Sequence, residues 1–288
     1  MFVVNWISGI VSSDSWEAVM HDVWTAVILG IVEGITEFLP VSSTGHLLVA
    51  EKLLHLDDMR WHVFTIVIQL GAILSVVAVY WRKFWTALVG LPTDPNAQRF
   101  AAMIVVAFVP AGILGAALIK KINTVLLSPT RALPVIATTW LIGGILILVL
   151  ERVAPKPRYT ESDNLPLWKC LQIGFCQCLA LLPGVSRSGA TILGAELLRV
   201  ERRAAAEFTF FLAVPTMLGA SVFELTKEGG TLSRADGMLI AVGFVVSFIV
   251  AYGVVKTFIA TIARYGLKPF GWYRIVSAAA LFAFIAVR

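Results

Sequence analysis

The sequence is poor in charged residues, which make up only 14% of its 288 positions, while 58% are hydrophobic. Soluble domains contain about 25% charged residues, so this composition, with a mean hydropathy of +0.85, excludes an ordinary soluble domain. We predict an all-α polytopic membrane protein that has the lipid bilayer as its surroundings. The net charge of +5 does not indicate nucleic acid as a partner, because basic residues in such chains mainly report orientation.

Cysteine and histidine are also scarce, with three and four residues respectively. Cys170, Cys176 and Cys178 lie in one apolar segment, and an odd, clustered set favours small packing residues over disulfides. Zinc usually takes four ligands, and no histidine lies near these cysteines, so a zinc site is not expected. The N-terminus lacks a basic stretch, and polar residues break its apolar run early, so a cleaved signal peptide is not expected.

Six segments are apolar enough, at about 20 residues each, to be predicted as transmembrane helices. They lie at roughly 63–81, 100–119, 132–150, 206–225, 237–259 and 270–287. Residues 1–21 are too short and too interrupted for a span, so we predict an N-terminal interfacial segment with Trp6 and Trp16 at the headgroup level. Residues 22–288 are then one membrane domain.

Two further apolar regions are each interrupted by a polar break. Proline ends a helix because it cannot donate a backbone hydrogen bond, and the helix that follows each break is too short to cross a bilayer. The predicted helices around the breaks at Pro40 and Pro183-Gly184 are 22–39 and 44–55, then 168–182 and 188–199. We predict two re-entrant helical hairpins, because irregular backbone at membrane depth is tolerated only inside protein.

The two halves, about 22–150 and 168–288, match each other in sequence. Val41-Ser-Ser-Thr-Gly45 aligns with Val185-Ser-Arg-Ser-Gly189, and Phe64-Thr65 aligns with Phe208-Thr209, both at an offset of 144 residues (185 − 41 and 208 − 64). Each half contains one hairpin and three spans, and an odd number of spans makes the second half enter from the opposite face. This predicts an inverted-topology repeat with its site where the two broken helices meet.

The distribution of lysine and arginine predicts the orientation. With Arg187 assigned to the membrane interior, one face carries 8 of these residues and the other carries 14, including Arg274. The richer face is predicted to be cytoplasmic, which opens the first hairpin to the outside.

The first break follows two carboxylates, Glu33 and Glu37, which share one helix face. Two carboxylates in a low-dielectric site repel each other unless a cation or a shared proton lies between them. A divalent metal such as magnesium or calcium fits, because hard cations take oxygen ligands. One protonated and one solvated carboxylate is the alternative.

Both breaks are followed by helix N-termini, whose free N–H groups attract anions. Hydroxyl residues flank each N-terminus and serve either as caps or as ligands. Arg187 carries a forked guanidinium suited to phosphate, although it could instead pair with Glu33 or Glu37. His46 could act as nucleophile, acid or base, or be structural. Together these groups are the parts that phosphoryl transfer needs.

At these residues the chain resembles a known family. The stretches Glu33–His46 and Pro183–Thr191 look like the two signature motifs of the undecaprenyl pyrophosphate phosphatase (BacA/UppP) family. The resemblance runs from about residue 22 to the C-terminus. It implies a multi-pass enzyme of the bacterial inner membrane that removes the terminal phosphate from undecaprenyl diphosphate, regenerating the carrier lipid of peptidoglycan synthesis. It also implies a divalent metal, a site open to the periplasm and a link to bacitracin resistance.

The resemblance further implies roles for single residues. Glu33 and Glu37 would bind metal or handle protons, Arg187 would hold the diphosphate, and Ser43 or His46 would be the nucleophile. The residues expected to line the substrate pocket beside Arg187 are Ser42, Thr44, Ser186, Ser188 and Thr191.

Two other functions need to be weighed against this phosphatase, and only the first of them stays open. A transporter or flippase of a lipid phosphate would also show an inverted repeat and broken helices. A lipid phosphatase of the acid-phosphatase superfamily is disfavoured, because it needs a second histidine and neither stretch supplies one. The sequence leaves the oligomeric state open, with a homodimer as one option.

Overall fold

The computed structural model describes residues 13–56, 59–128, 130–228 and 234–287. Across these residues the chain is built from α-helices and contains no β-strand; one isolated bridge joins Tyr159 to Val200. Seven helices are long and apolar enough to cross a membrane. The prediction of an all-α polytopic membrane protein is therefore confirmed.

The described helices are numbered here in chain order. They are α1 Ser13–Thr36, α2 Ser43–Leu53, α3 Met59–Val79, α4 Trp81–Gly90, α5 Pro95–Leu126, α6 Ala132–Val153, α7 Leu167–Gln177, α8 Arg187–Leu197, α9 Arg202–Glu228, α10 Arg234–Tyr265 and α11 Lys268–Val287. A short 3₁₀ turn, Cys178–Leu181, continues α7.

The seven long apolar helices include all six of the predicted spans. The seventh is the segment Val19–Thr36 of α1, which the sequence analysis assigned to the first hairpin. This helix begins at Ser13, so residues 13–21 of the predicted interfacial segment are continuous with it, while residues 1–12, with Trp6, lie outside the described residues. The re-entrant course of the two hairpins stays a prediction.

One short helix, α4, was not predicted. It follows α3 almost directly and carries exposed Trp81, Trp85 and Leu88 at helical spacing beside Arg82 and Lys83. The two basic residues made this stretch look like a loop, whereas apolar and basic residues on separate faces are typical of a helix lying in the membrane interface.

The helices of the two halves pack reciprocally. Helices α1 and α3 pack against α10 of the second half, and their counterparts α7 and α9 pack against α5 of the first. Helix α3 also packs against its counterpart α9, and α6 packs against α11. Such an arrangement is expected of two equivalent halves that each donate a broken helix to the other, while their opposite orientation stays a prediction.

Ion pairs of the half-buried Arg202 join the two halves near the start of α9. Arg202, at the start of α9, contacts Glu151 at 3.0 Å and Glu196 at 2.6 Å. The Glu151 carboxylate also accepts hydrogen bonds from the backbone N–H of Leu267. Because Glu151 belongs to the first half and the other residues to the second, this network ties the halves together.

Close contact between α7 and α5 leads to a stability prediction. A Cβ atom added at Gly174 would lie 2.3 Å from the carbonyl oxygen of Ala107, a backbone atom that cannot move alone. We expect Gly174→Ala to lower stability by about 1–3 kcal/mol, as overpacking does. The control is Gly253→Ala, because Gly253 has nothing within 4 Å of its Cβ position and alanine favours helix.

Thermal unfolding of the purified variants in detergent measures the difference. If Gly174→Ala melted at or above the temperature of Gly253→Ala, close packing at Gly174 would not contribute to stability.

Candidate active site

The two helix breaks contact each other directly. Ser186 and Ser188, at the second break, both donate hydrogen bonds to the carbonyl oxygen of Leu39 in the first break, at 3.3 and 2.8 Å. Their hydroxyl oxygens also lie 2.9 Å apart. The second break thus satisfies a carbonyl that the interruption of α1 leaves without a helical partner.

Each break ends in a capped helix start. Ser42 accepts from the N–H of Gly45 at 3.4 Å, and Ser186 accepts from the N–H of Gly189 at 3.1 Å. Serine is a favoured capping residue because its oxygen satisfies one of the free N–H groups. Both caps sit at the same place in the repeat, although Ser42 has a φ of 74° and Ser186 an ordinary extended backbone.

Glu37, Ser43 and Arg187 form a cluster between these helix starts. Nη2 of Arg187 lies 3.1 Å from Oε1 of Glu37, and the hydroxyl of Ser43 donates a hydrogen bond to Oε2 of Glu37. Arg187 also donates from Nη1 to the carbonyl of Thr209 at 3.0 Å, while its buried Nε has no acceptor among the described residues. The alternative of an Arg187–Glu37 ion pair is therefore observed.

Glu33 lies behind Glu37 and is completely buried. Neither of its carboxylate oxygens meets a hydrogen-bond donor among the described residues, and its charged neighbours are Glu37 and Arg187. Two carboxylates in an apolar interior need a shared proton or a cation between them. The part of the chain that the structure describes has no group of three histidines, cysteines or acids that could hold a metal.

A metal here would therefore rely on few protein ligands. Two carboxylates and the Ser43 hydroxyl fit a hard cation that takes its other ligands from water and phosphate, as magnesium commonly does. The observation that supports a cation at this place is that the buried carboxylate of Glu33 has no hydrogen-bond partner among the described residues.

A cavity of about 350 Å³ opens beside the cluster. Its polar end is formed by the first turns of α2 and α8 together with three residues of neighbouring helices. These polar residues are Glu37, Ser42, Ser43, Thr44, Ser186, Arg187, Gln69, Gln177 and Thr216. Its other walls come mainly from α5 and α9 and are apolar except for Glu224; they include Phe108, Ile119 and Phe223. Such a cavity suits a ligand with an anionic head and a hydrocarbon tail.

Four of the predicted site residues do not border this cavity: Glu33, His46, Ser188 and Thr191. Ser188 and Thr191 have supporting contacts instead. Thr191 donates to the carbonyl of Arg187 at 2.8 Å and accepts from Thr209 at 3.0 Å. These bonds hold the first turn of α8 against α9.

His46 faces away from the cavity. Its Nδ1 lies 2.7 Å from the carbonyl oxygen of Ser42, and its Nε2 lies 2.7 Å from the hydroxyl of Tyr273. Its ring packs 4.4 Å from that of Trp140. Because a carbonyl only accepts, Nδ1 carries the proton, and the neutral ring accepts from Tyr273 through Nε2. Both nitrogens are then occupied by protein groups.

Arg274 was misplaced by the sequence analysis, which counted it in a loop of the cytoplasmic face. It lies inside α11, is 3% exposed, and donates to backbone carbonyls of both breaks. Removing it from the loop count leaves 13 residues (14 − 1) against 8, so the predicted orientation is unchanged. A cation within an apolar segment was the available signal, since such residues usually have a partner inside the protein.

Comparison with known proteins gives a family match. The family model described as bacitracin resistance protein BacA matches residues 26–280. A protein named undecaprenyl-diphosphatase from Novosphingobium aromaticivorans is 49% identical over 275 residues, covering 93% of this chain and 100% of that protein. Proteins of the same name from Rhodopseudomonas palustris and Bradyrhizobium diazoefficiens are 49% and 46% identical, each covering 89% of this chain and 95% of their own length.

The buried Glu37–Arg187 pair leads to a second stability prediction. Arg187→Met leaves Glu37 buried beside Glu33 without its cation, and breaking such a pair costs on the order of 3 kcal/mol. We expect Glu37→Gln to restore much of this loss when added to Arg187→Met, because the amide carries no charge.

Unfolding of wild type, both single variants and the double variant in detergent gives the coupling between the two sites. Purely additive effects would mean that the two side chains do not form a stabilising pair.

Proposed function

The chain belongs to the bacitracin resistance protein BacA family, and we propose how its cluster of Glu37, Ser43 and Arg187 serves the family's reaction. The protein is an undecaprenyl-diphosphatase, which hydrolyses undecaprenyl diphosphate to undecaprenyl phosphate and inorganic phosphate. The observation that carries the assignment of the site is that this cluster lies at the polar end of a cavity whose other walls are mostly apolar.

Ser43 is the nucleophile in this proposal. Its hydroxyl borders the cavity and already donates to the Glu37 carboxylate, which is the arrangement of a nucleophile with its general base. Ser43 Oγ attacks the terminal phosphorus as its proton passes to Glu37, and the bond from that phosphorus to the bridging oxygen breaks. Undecaprenyl phosphate leaves. Water then attacks the serine phosphate, Glu37 returns its proton to the departing Ser43 Oγ, and the protons of the water leave with inorganic phosphate or pass to solvent.

Arg187 and the two helix starts bind the phosphates. The Arg187 guanidinium lines the cavity and keeps its Nε free of protein acceptors among the described residues. The N–H groups at the first turns of α2 and α8 point their dipoles toward the same place, which stabilises the negative charge of both phosphates. The ion pair with Glu37 holds Arg187 beside the nucleophile.

Glu33 and Glu37 would hold a divalent metal, magnesium or calcium. When bound, such an ion neutralises charge on the phosphate oxygens. Glu33 supports this assignment because its buried carboxylate has no other partner among the described residues.

The cavity opens toward the periplasm of a bacterial inner membrane in our proposal. It is lined by the C-terminal halves of α5 and α9, around Ile119 and Glu224, whereas the Arg202 ion-pair network lies near the other end of α9. The open end leads to the loops that are poorer in lysine and arginine, which the positive-inside rule assigns to the outside.

A transporter or flippase of a lipid phosphate stays a second candidate, supported by the reciprocal packing of the halves. Transport would require the Arg202 network to open. Movement of a labelled lipid phosphate across liposomes, without release of phosphate, distinguishes this function from hydrolysis.

The nucleophile assignment predicts a large kinetic effect. Ser43→Ala removes the attacking oxygen, and we expect kcat for phosphate release from undecaprenyl diphosphate to fall by about 10³-fold or more. The control is Ser75→Ala, because Ser75 is also a buried helical serine, bonds only to the carbonyl of Ala72 and does not border the cavity. Its kcat is expected to stay within about threefold of wild type.

The same assay separates Ser43 from His46. His46→Gln is expected to retain more activity than Ser43→Ala, because His46 acts here by holding Ser42. A Ser43→Ala enzyme with kcat near that of wild type, beside an inactive His46→Gln, would transfer the role of nucleophile to His46.

The metal assignment predicts dependence on added cation. EDTA should abolish phosphate release, and magnesium or calcium should restore it. Glu33→Gln keeps the shape but removes one charge, so the cation concentration for half-maximal activity should rise by at least about tenfold, as loss of a ligand weakens a site. Full activity in EDTA would remove the metal from the proposal.

A further inference from the structure

Arg274 is a buried cation whose partners are all backbone carbonyls. Its Nη2 donates to Thr139 at 2.9 Å and to Gly184 at 3.0 Å, and its Nη1 donates to Pro40 at 3.3 Å. Its Nε donates to Trp140 at 3.4 Å. No carboxylate pairs with it in the described part of the chain. One guanidinium therefore connects the first break, helix α6 and the second break.

The two breaks are held at equivalent atoms. Pro40 and Gly184 are separated by the repeat offset (184 − 40 = 144), and each lies two residues before the serine that caps the next helix. A guanidinium has a rigid fork of donors, so its bonds to these two carbonyls fix the position of one helix start relative to the other. The anion site requires that relative position, because it is formed from both.

The neighbouring Tyr273 extends this support. Its hydroxyl meets His46 Nε2, and His46 Nδ1 holds the carbonyl of Ser42, the residue that caps α2. Ser42 has a φ of 74°, a strained value for serine that needs such support. A single turn of α11 thus braces the start of α2 through Tyr273 and both breaks through Arg274.

We propose that Arg274 is a positioning residue for phosphoryl transfer, which holds the starts of α2 and α8 at the separation that the reacting diphosphate requires. It does not border the cavity, so it acts through the breaks and not by contact with the substrate. Its positive charge lies behind both helix starts, where it adds to their attraction for phosphate. This inference rests on the proposed catalytic site.

Gly143 offers a substitution that disturbs Arg274 without removing it. A Cβ at Gly143 would lie 2.4 Å from Nη2 and 2.7 Å from Cζ of Arg274, and its three nearest atoms all belong to that side chain. The flexible guanidinium must move away in Gly143→Ala, while the backbone packing can stay. Gly253→Ala is the matched control, with open space around its Cβ.

The test measures kcat and KM with undecaprenyl diphosphate, together with the melting temperature in detergent with and without inorganic phosphate. We expect Gly143→Ala to stay folded at the assay temperature but to melt at a lower temperature, because the displaced guanidinium leaves buried carbonyls without a donor. We expect its kcat to fall at least about tenfold relative to the folded fraction, and its stabilisation by phosphate to be smaller, because small displacements of positioning groups are costly. Arg274→Lys keeps the positive charge but not the planar set of donors. Its kcat should fall by a larger factor than its KM rises. Gly253→Ala should match wild type.

Two results would overturn the proposal. One is a folded Gly143→Ala enzyme with kcat and phosphate stabilisation equal to those of Gly253→Ala. The other is that the lower kcat of Gly143→Ala and Arg274→Lys is fully explained by the fraction of unfolded protein, so that kcat per folded enzyme equals that of wild type. Failure of the catalytic assignment looks different: the wild-type enzyme would then release phosphate while Ser43→Ala did so equally well.

Discussion

The constraint on which the structure depends is that interrupted helices inside apolar protein expose backbone groups that must find partners. Here each break is satisfied by groups from the other half or from α11. Ser186 and Ser188 bind the carbonyl of Leu39, and Arg274 binds those of Pro40 and Gly184. The cost of breaking a helix is offset because the two breaks are placed together.

The same arrangement produces the anion site. The carbonyls before each break are occupied by protein donors, and the first turns of the two helices that follow line the cavity. A helix N-terminus attracts negative charge. Ser43 and Arg187 are the first residues of their helices, and both line the same cavity. The satisfied break and the catalytic cluster are therefore two consequences of one backbone geometry.

Much of this could be predicted from the sequence because polar residues in an apolar chain are conspicuous. Glu37, Ser43 and Arg187 stand out against their surroundings, and the repeat offset paired their helices. The direction in which His46 points and the carbonyls that Arg274 binds could not be predicted, because both depend on how α11 packs against α6. Helix α4 was missed because it is only 10 residues long and its basic residues resemble those of a loop.

The two halves carry different charges at equivalent positions of the site. At the repeat offset, Glu33 corresponds to Gln177, Glu37 to Leu181, and Ser43 to Arg187. Had both halves retained the acids, four carboxylates would surround an anion and repel it. Placing the acids and the hydroxyl in one half and the guanidinium in the other gives an ion pair, a nucleophile and a phosphate ligand at one point. The site therefore cannot be assembled by either half alone, which makes the register between the halves, fixed at the breaks, a requirement of the chemistry.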